Sequence, residues 1–448
     1  MKEKDKIELI IESYDVNGYG VAHVNGLIVF VKGALVGEKV LAIVENVHKK
    51  YVFAKAIKIS NPSKDRIEPE CPFYTRCGGC DNMHMNYECE KKIKENKVKN
   101  TLYKFKDYKF NNLISNDVTT SYRNKVLMPY ARDKEDNLLY GFYRKGTHNI
   151  VPINKCLVSP NIVNDIISFI GKYLSIFHVS IYNEDTNKGI FREVMVRNSS
   201  IGEIMVVLIV TKKYDFSNLI NYLKDEFPAI KSIYLNINDK NTNVILTDEY
   251  ELLYGKEYII EDVLGLKFEV NFRSFLQVNH DMMEILYKKA FELADLKKSD
   301  NVIDAYCGIG TITLNLAKRC NKVYGIEIVE QAIENANYNK KLNNIDNVEF
   351  ILGKCEEEIQ KLVNKEKIDV IFFDPPRKGC AKEFLDTVIK MKIPKIIYIS
   401  CNIATCQRDI EILTNNGYKL EEVTPVDMFA RTEHVETICS LSLGTLHK

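Results

Sequence analysis

No stretch of this sequence reaches the roughly 18 consecutive apolar residues of a membrane-spanning helix, so no such span is expected. The opening residues, MKEKDKIELIIESYD, lack the apolar core of a secretory signal, and a cytoplasmic protein is expected. An excess of one charge sign is also missing: 62 Lys and Arg oppose 61 Asp and Glu, a formal net charge of +1. The molecule as a whole is therefore no polycation, and any contact with nucleic acid must come from a local patch. Low-complexity tracts and internal repeats are absent, and 46% hydrophobic with 27% charged residues excludes disordered and fibrous classes.

Length and cysteine are what the sequence does have. A chain of 448 residues is too long for one core, which predicts two or three domains. Twelve cysteines in a reducing compartment make metal binding or catalysis the first question, ahead of disulfides. One local basic patch stands out. Residues 91–109 hold eight lysines against Glu95 and Asp107, in a segment that reads as helical from Tyr87 onward; a solvated helix face is the alternative reading.

Residues 1–59 read as short strands broken by turn glycines, the pattern of a small β-barrel. Further on, the runs FREVMVRN, GEIMVVLIVT and SIYLNIN predict a mixed α/β middle domain. The last third changes character. Apolar runs in NVIDAYCGIG, KVYGIEIV, DVIFFDPP and KIIYISCN alternate with amphipathic segments at 311–319 and 330–342, the pattern of a doubly wound parallel sheet.

In VIDAYCGIG, Asp304 ends a strand and Gly308 and Gly310 form a tight loop entering a helix, as needed where backbone approaches a ligand closely. Glu327 ends the next strand, 17 residues after Gly310, where a carboxylate can accept hydrogen bonds from both ribose hydroxyls. A dinucleotide site would need GxGxxG, which is not present. The DxxxGxG form looks instead like the S-adenosylmethionine (SAM) site of class I methyltransferases. A third strand ends in Asp374-Pro375-Pro376, a rigid turn at the carboxyl edge of the sheet. Arg377 follows where many amino-nitrogen methyltransferases have an aromatic residue, which argues for another target atom.

The strand KIIYIS runs into Cys401, which is open to three readings: a structural thiol, a metal ligand or a nucleophile at the lip of a sheet. C5 of uracil is a poor nucleophile until a thiolate adds to C6, and a base must then remove the C5 proton. Cys401 meets the first need. Glu433, His434 and Glu436 are candidates for the second, with Glu436 best placed because it begins the apolar run ETICSLSL; a solvated loop carboxylate is the alternative. Cys71-x5-Cys77-x2-Cys80 surrounds Gly78-Gly79 as a compact loop suited to zinc or an iron–sulfur cluster. Either would need a fourth ligand from His84, Cys89 or Cys156. Cys307, Cys320, Cys355, Cys380 and Cys439 show no ligand spacing and read as buried thiols, and Cys406 reads as helical, past the strand end.

FLQVN, DAYCGIG, DPPRKGC, YISCN with ATCQRD, and HVETI occur in this order and resemble the RNA (uracil-5-)-methyltransferase family. The resemblance implies Cys401 as nucleophile and Glu436 as base, with SAM contacts from Gln277, Tyr306, Glu327 and Asp374. It also implies a [4Fe-4S] cluster held by Cys71, Cys77, Cys80 and Cys156, with zinc as the residual alternative. One departure is Ile403, where the family usually has proline, which puts the rigidity of the loop beside the nucleophile in doubt.

The N-terminal stretch GYGVAHVNGLIVFVKGALVGE resembles a TRAM domain, an OB-like RNA-binding barrel. The expected organisation is a TRAM barrel at 1–59, a central domain with the cluster at 60–90 and 121–270, and the class I SAM-dependent methyltransferase domain, with its Rossmann-like sheet, at 91–120 and 271–448. Tyr122, Arg123, Asn124 and Lys125 resemble a family stretch expected to line the RNA-facing cleft. The expected reaction forms 5-methyluridine in RNA, most plausibly 23S rRNA, by a monomeric enzyme that extrudes the target base. Alternatives are a tRNA m5U methyltransferase, or an RNA-binding protein with a vestigial SAM fold. An m5C enzyme would need a Pro-Cys motif that the sequence lacks.

Overall fold

The computed structural model describes residues 1–242 and 244–444. The first six strands form one sheet. Alternation selects its inner face: in Lys39–Val47 the buried residues are Val40, Ala42 and Val44, every second position. Gly20–Val24 and Leu27–Lys32 form a hairpin across Asn25-Gly26, both with positive φ, the two-residue turn whose twist matches that of the strands. Leu9, Ile11, Val29, Val31, Val40 and Val52 make a core belonging to this sheet alone.

A seven-stranded sheet follows, in the spatial order Ile150–Pro152, Leu138–Tyr143, Lys125–Arg132, Phe191–Asn198, Ile204–Val210, Ile230–Ile237, Tyr250–Gly255. Ile204–Val210 is buried at every position, as its uninterrupted apolar run requires. The helices Asn161–Ile176 and Ser217–Glu226 contribute to the core on one side of this sheet.

The third sheet has eight strands. Five are parallel, in the order Val348–Leu352, Lys322–Glu327, Asn301–Ala305, Val370–Phe373, Lys395–Ser400. The chain builds outward from Asn301–Ala305 in one direction and then crosses to its other side. The switch point thus lies between the strands that end at Ala305 and Phe373, where such sheets bind ligands. Beyond Lys395–Ser400 the sheet becomes mixed. Glu436–Leu443 joins antiparallel, Tyr418–Val426 pairs antiparallel with it, and Lys109–Phe110 closes the edge. No helix of the described residues is long and apolar enough to cross a membrane.

Helix Tyr87–Thr101, in the lysine-rich segment, is no simple solvated face. Asn86 caps it by accepting a hydrogen bond from the Cys89 amide. Cys89 and Ile93 pack with Leu35, in the loop between strands Leu27–Lys32 and Lys39–Val47, and with Met85. Lys94 is 1% exposed, and its Nζ donates to Glu90 Oε1 at 2.7 Å, Asp427 Oδ1 at 2.8 Å and the Phe429 carbonyl at 3.1 Å. Three donors meet three acceptors, so the ammonium is tolerated in the interior. Asp427 also accepts from the Tyr87 hydroxyl at 2.7 Å. Lys94→Ala is expected to destabilise the protein by about 3–5 kcal/mol, because two buried carboxylates lose their cation. Urea unfolding of the variant checks this, and a loss below 1 kcal/mol would show that the network is not a tie.

Candidate active site

The glycine loop is built by close packing. Gly310 has φ +85°, and a Cβ there would lie 2.7 Å from the Phe350 ring. Tyr306 adopts φ +64°, a conformation uncommon for a non-glycine residue, and its ring packs on Phe384 at 5.3 Å between centroids. The Glu327 carboxylate closes the loop, accepting from the Gly308 amide at 3.2 Å, the Ile328 amide at 2.8 Å and the Val329 amide at 3.0 Å. Beneath it, buried Asp304 accepts from the Thr313 hydroxyl at 2.5 Å, and burial pushes its carboxyl up to about 7. Gln277 Nε2 reaches Asp374 Oδ2 at 3.4 Å, so two of the expected SAM-contacting residues touch across 97 positions of sequence. Burial raises Asp374 to about 7, against the Gln277 hydrogen bond.

Cys401 follows Lys395–Ser400 directly. In the antiparallel ladder to Glu436–Leu443, Ser400 stands opposite Thr437, so the next position on each strand brings Cys401 beside Glu436. Glu436 is 1% exposed and its Oε2 has no hydrogen-bond partner among the described residues. Burial raises its carboxyl well above the usual range, nearby Asp374 adds to the rise, and Arg377 opposes it. Burial also pushes the Cys401 thiol up to about 11, reinforced by Glu436 and Asp374 and opposed by Arg377. Cys401 opens into a cleft of about 200 Å³ shared with Lys97, Arg377, Glu433 and His434.

The loop beside Cys401 is held without a proline. Asn402 caps helix Ile403–Asn415 by accepting from the Ala404 amide at 3.2 Å, and its Nδ2 donates to the Arg377 carbonyl at 3.0 Å. The Thr405 hydroxyl donates to the same carbonyl at 3.3 Å, and Ile403 is buried. The cysteine thus precedes a helix N-terminus, whose partial positive charge favours a thiolate. Cys406 is buried in that helix, 3.9 Å from the Cys439 sulfur, and Cys307, Cys320, Cys355 and Cys380 are also buried.

Cys71, Cys77, Cys80 and Cys156 line one cavity of about 400 Å³, together with Arg123 and Lys125. Burial raises the Cys71, Cys77 and Cys80 thiols, and the neighbouring thiols reinforce the rise. His84 is engaged elsewhere, within 2.6 Å of the Tyr74 hydroxyl, and Cys89 packs in the helix interface. Among the described residues no three His, Cys, Asp or Glu side chains converge closely enough to hold a metal ion, so neither zinc nor a cluster is shown here.

Lys97 and the Glu90–Lys94–Asp427 network are contributors that sequence reasoning did not place, and Arg377 was read there only for the choice of target atom, not for its charge beside Cys401. Glu90 and Lys94 carry a visible signal, since i and i+4 face one another on a helix. Nothing in the sequence pairs either with Asp427.

A parallel sheet with a glycine loop at its switch point, an acid ending the second strand and a carboxylate after the fourth defines a class I SAM-dependent methyltransferase. The family model of tRNA (uracil-5-)-methyltransferase matches residues 86–443, and that of the TRAM domain matches residues 2–57. An uncharacterized RNA methyltransferase of Clostridium tetani is 41% identical over 98% of this chain and 96% of its own length. Another from Bacillus cereus is 40% identical over 99% and 98%. The crystal structure of Pyrococcus abyssi tRNA (uracil-54, C5)-methyltransferase with S-adenosyl-L-homocysteine is similar at a TM-score of 0.79 and 26% identity, covering 97% of this chain and 99% of that one. The chain belongs to the tRNA (uracil-5-)-methyltransferase family and is a SAM-dependent RNA methyltransferase with an N-terminal TRAM domain.

A thiol at about 11 is mostly protonated at neutral pH, so alkylation of Cys401 by iodoacetamide should accelerate about tenfold per pH unit until it levels near 11. Removing the Glu436 charge stabilises the thiolate, and Glu436→Gln should move the profile to lower pH. Mass spectrometry of the Cys401 peptide reads both. An unshifted profile would show that the two groups are not electrostatically linked.

Proposed function

We propose that this protein transfers a methyl group from SAM to C5 of a uridine in RNA, with 23S rRNA the favoured substrate, through a covalent bond between Cys401 and C6. The observation that carries the reading is the strand register that brings Cys401 beside a buried Glu436 whose Oε2 is unpartnered. As the Cys401 thiolate adds to C6, the C5=C6 electron pair moves toward C5 and O4, which makes C5 nucleophilic. SAM, when bound, supplies the electrophilic methyl group and leaves as S-adenosylhomocysteine. Glu436 then accepts the C5 proton, the electrons of that C–H bond restore C5=C6, and the thiolate departs. The raised proton affinity of Glu436 suits it to this task, since a carboxylate whose proton affinity is raised by burial is a stronger base than one at its ordinary value.

Tyr306, Glu327, Asp374 and Gln277 are the residues assigned to SAM. The fit rests on the cradle around Gly308 and Gly310, where a side chain at 310 would strike Phe350. RNA as the partner draws support from the first sheet. There Phe30, Tyr51 and Phe53 lie within 5.3–5.9 Å of one another, His48 stacks on Tyr51 at 4.5 Å, and Lys32 and Lys55 flank them on the same strands. Aromatic rings interleaved with lysines form a stacking surface for unpaired bases. Lys145 adds a positive charge at the rim of the cleft, pairing with Asp81 at 2.8 Å and Glu433 at 3.8 Å.

The thiol cavity is assigned a [4Fe-4S] cluster held by Cys71, Cys77, Cys80 and Cys156. Four soft donors line one space with two cations, and Lys125 has no ion-pair partner among the described residues, as a net-negative thiolate cluster favours. Its role would be structural, joining residues 71–80 to a segment about 80 residues away, and the proposed domain boundaries at 60–90 and 121–270 follow from that tie. A tRNA uridine is the second reading, favoured by the full-length likeness to the Pyrococcus abyssi tRNA enzyme.

With SAM and RNA carrying 5-fluorouridine, fluorine cannot leave as a proton does, and a stable adduct on Cys401 is expected. Sequencing its RNA half separates 23S rRNA from tRNA, and no adduct despite SAM binding would overturn the covalent route. Cys401→Ser should abolish adduct and methyl transfer, and Glu436→Gln should slow methylation by roughly 100-fold or more while the natural adduct accumulates. Anaerobically purified Cys156→Ser should lose bound iron and melt at lower temperature. Unchanged melting and RNA affinity would remove the structural role of the cluster.

A further inference from the structure

A cavity of about 540 Å³ lies at one end of two central strands of the seven-stranded sheet, where the Arg132 end of Lys125–Arg132 and the start of Phe191–Asn198 meet the loop at 181–185; the reaction above makes no use of it. Glu193, 5% exposed, lines it, and the carboxylate makes no hydrogen bond or ion pair with any described residue. Its neighbour Arg192 is committed elsewhere. The Arg192 Nη1 donates to the carbonyls of Asn238 and Lys240, each at 2.8 Å, and the guanidinium lies 4.3 Å over the Tyr182 ring. His148, at the same cavity, pairs with Glu184 at 2.7 Å. Burial therefore pushes Glu193 up to about 7, with Arg192 opposing only in part. A buried carboxylate without donors costs free energy that a ligand with paired N–H groups recovers.

We propose that this pocket takes a guanine base of the RNA substrate, its N1–H and 2-amino N–H donating to the two Glu193 oxygens and its ring lying among Tyr143, His148 and Tyr182. Guanine is the base whose pairing edge carries two adjacent N–H donors. Uracil sets acceptors on both sides of its one N–H, and adenine and cytosine put a ring acceptor beside their amino group, which the carboxylate repels. Aromatic surface around a polar floor is how proteins hold unstacked bases. The strand carrying Tyr143 is braced by the cysteine-rich loop, since the Gly78 amide donates to the Tyr143 carbonyl at 3.0 Å. The identification of the ligand as part of an RNA rests on the function proposed above.

The test titrates guanosine, adenosine, cytidine and uridine into the full-length protein by saturation-transfer NMR, and photocrosslinks RNA containing 6-thioguanosine to map the contacted peptides. Guanosine should bind in preference, with crosslinks at Tyr143 or Tyr182. Glu193→Gln should weaken guanosine about tenfold or more, the loss of hydrogen bonds to a charged acceptor. Ala131→Phe, which fills the cavity without removing the carboxylate, should do the same and serves if Glu193→Gln does not fold. Equal binding of the four nucleosides, a preference for adenosine or cytidine, or guanosine affinity untouched in folded Ala131→Phe overturns the proposal. RNA methylation without guanosine binding sinks the pocket alone. Guanosine binding without methylation of any RNA sinks the methylation reading and leaves the guanine assignment standing.

Discussion

The antiparallel ladder between Lys395–Ser400 and Glu436–Leu443 is the constraint on which the proposed catalytic arrangement depends, because its register brings Cys401 next to Glu436. A slip of one residue would turn every side chain of Glu436–Leu443 to the opposite face and take the carboxylate away from the thiol. The register is held by apolar packing on both faces. Ile397, Ile399 and Ile438 belong to one core cluster, while Ile396, Tyr398, Cys439 and Leu441 belong to another. The stability of the sheet and the geometry of the chemistry are therefore the same interaction.

Burial has a second consequence at that site. Removing Glu436, Asp374 and Cys401 from water raises the proton affinity of all three, and the carboxylates oppose thiolate formation. A carboxyl whose proton affinity is raised by burial is a stronger base once it is ionised. Arg377 and the N-terminus of helix Ile403–Asn415 are the elements that favour negative charge beside the sulfur. The hydrogen bonds of Asn402 and Thr405 to the Arg377 carbonyl tie the loop after Asp374 to the helix after Cys401.

The lysine-rich helix illustrates how charge serves packing as well as RNA. Lys94 lies inside, between the helix and the Asp427 loop, while Lys97 reaches the edge of the cleft through the Glu433 carbonyl at 3.1 Å. The helix therefore bridges its neighbours, packing on Leu35 beside the first sheet and holding the 427–433 segment that precedes Glu436–Leu443.

Much of this was legible in the sequence. Apolar runs bounded by turn residues marked the parallel strands, and Glu330–Leu342 was readable from its own period, because such signals are local and arise from burial. The glycine loop, the acid at 327 and the cysteine at a strand end were visible as residue types in a required order. What the sequence could not supply was pairing across distance. That Glu436–Leu443 joins antiparallel rather than parallel, that Gln277 hydrogen-bonds Asp374, and that Glu193 is buried without a donor are all decided by which surfaces come together in the folded chain, and the grouping of Cys156 with Cys71 came from the family resemblance and not from any local pattern. Local pattern determines which elements form and which faces are apolar. The partners of a buried polar group depend on tertiary packing, since only the packed interior removes water as the competing partner.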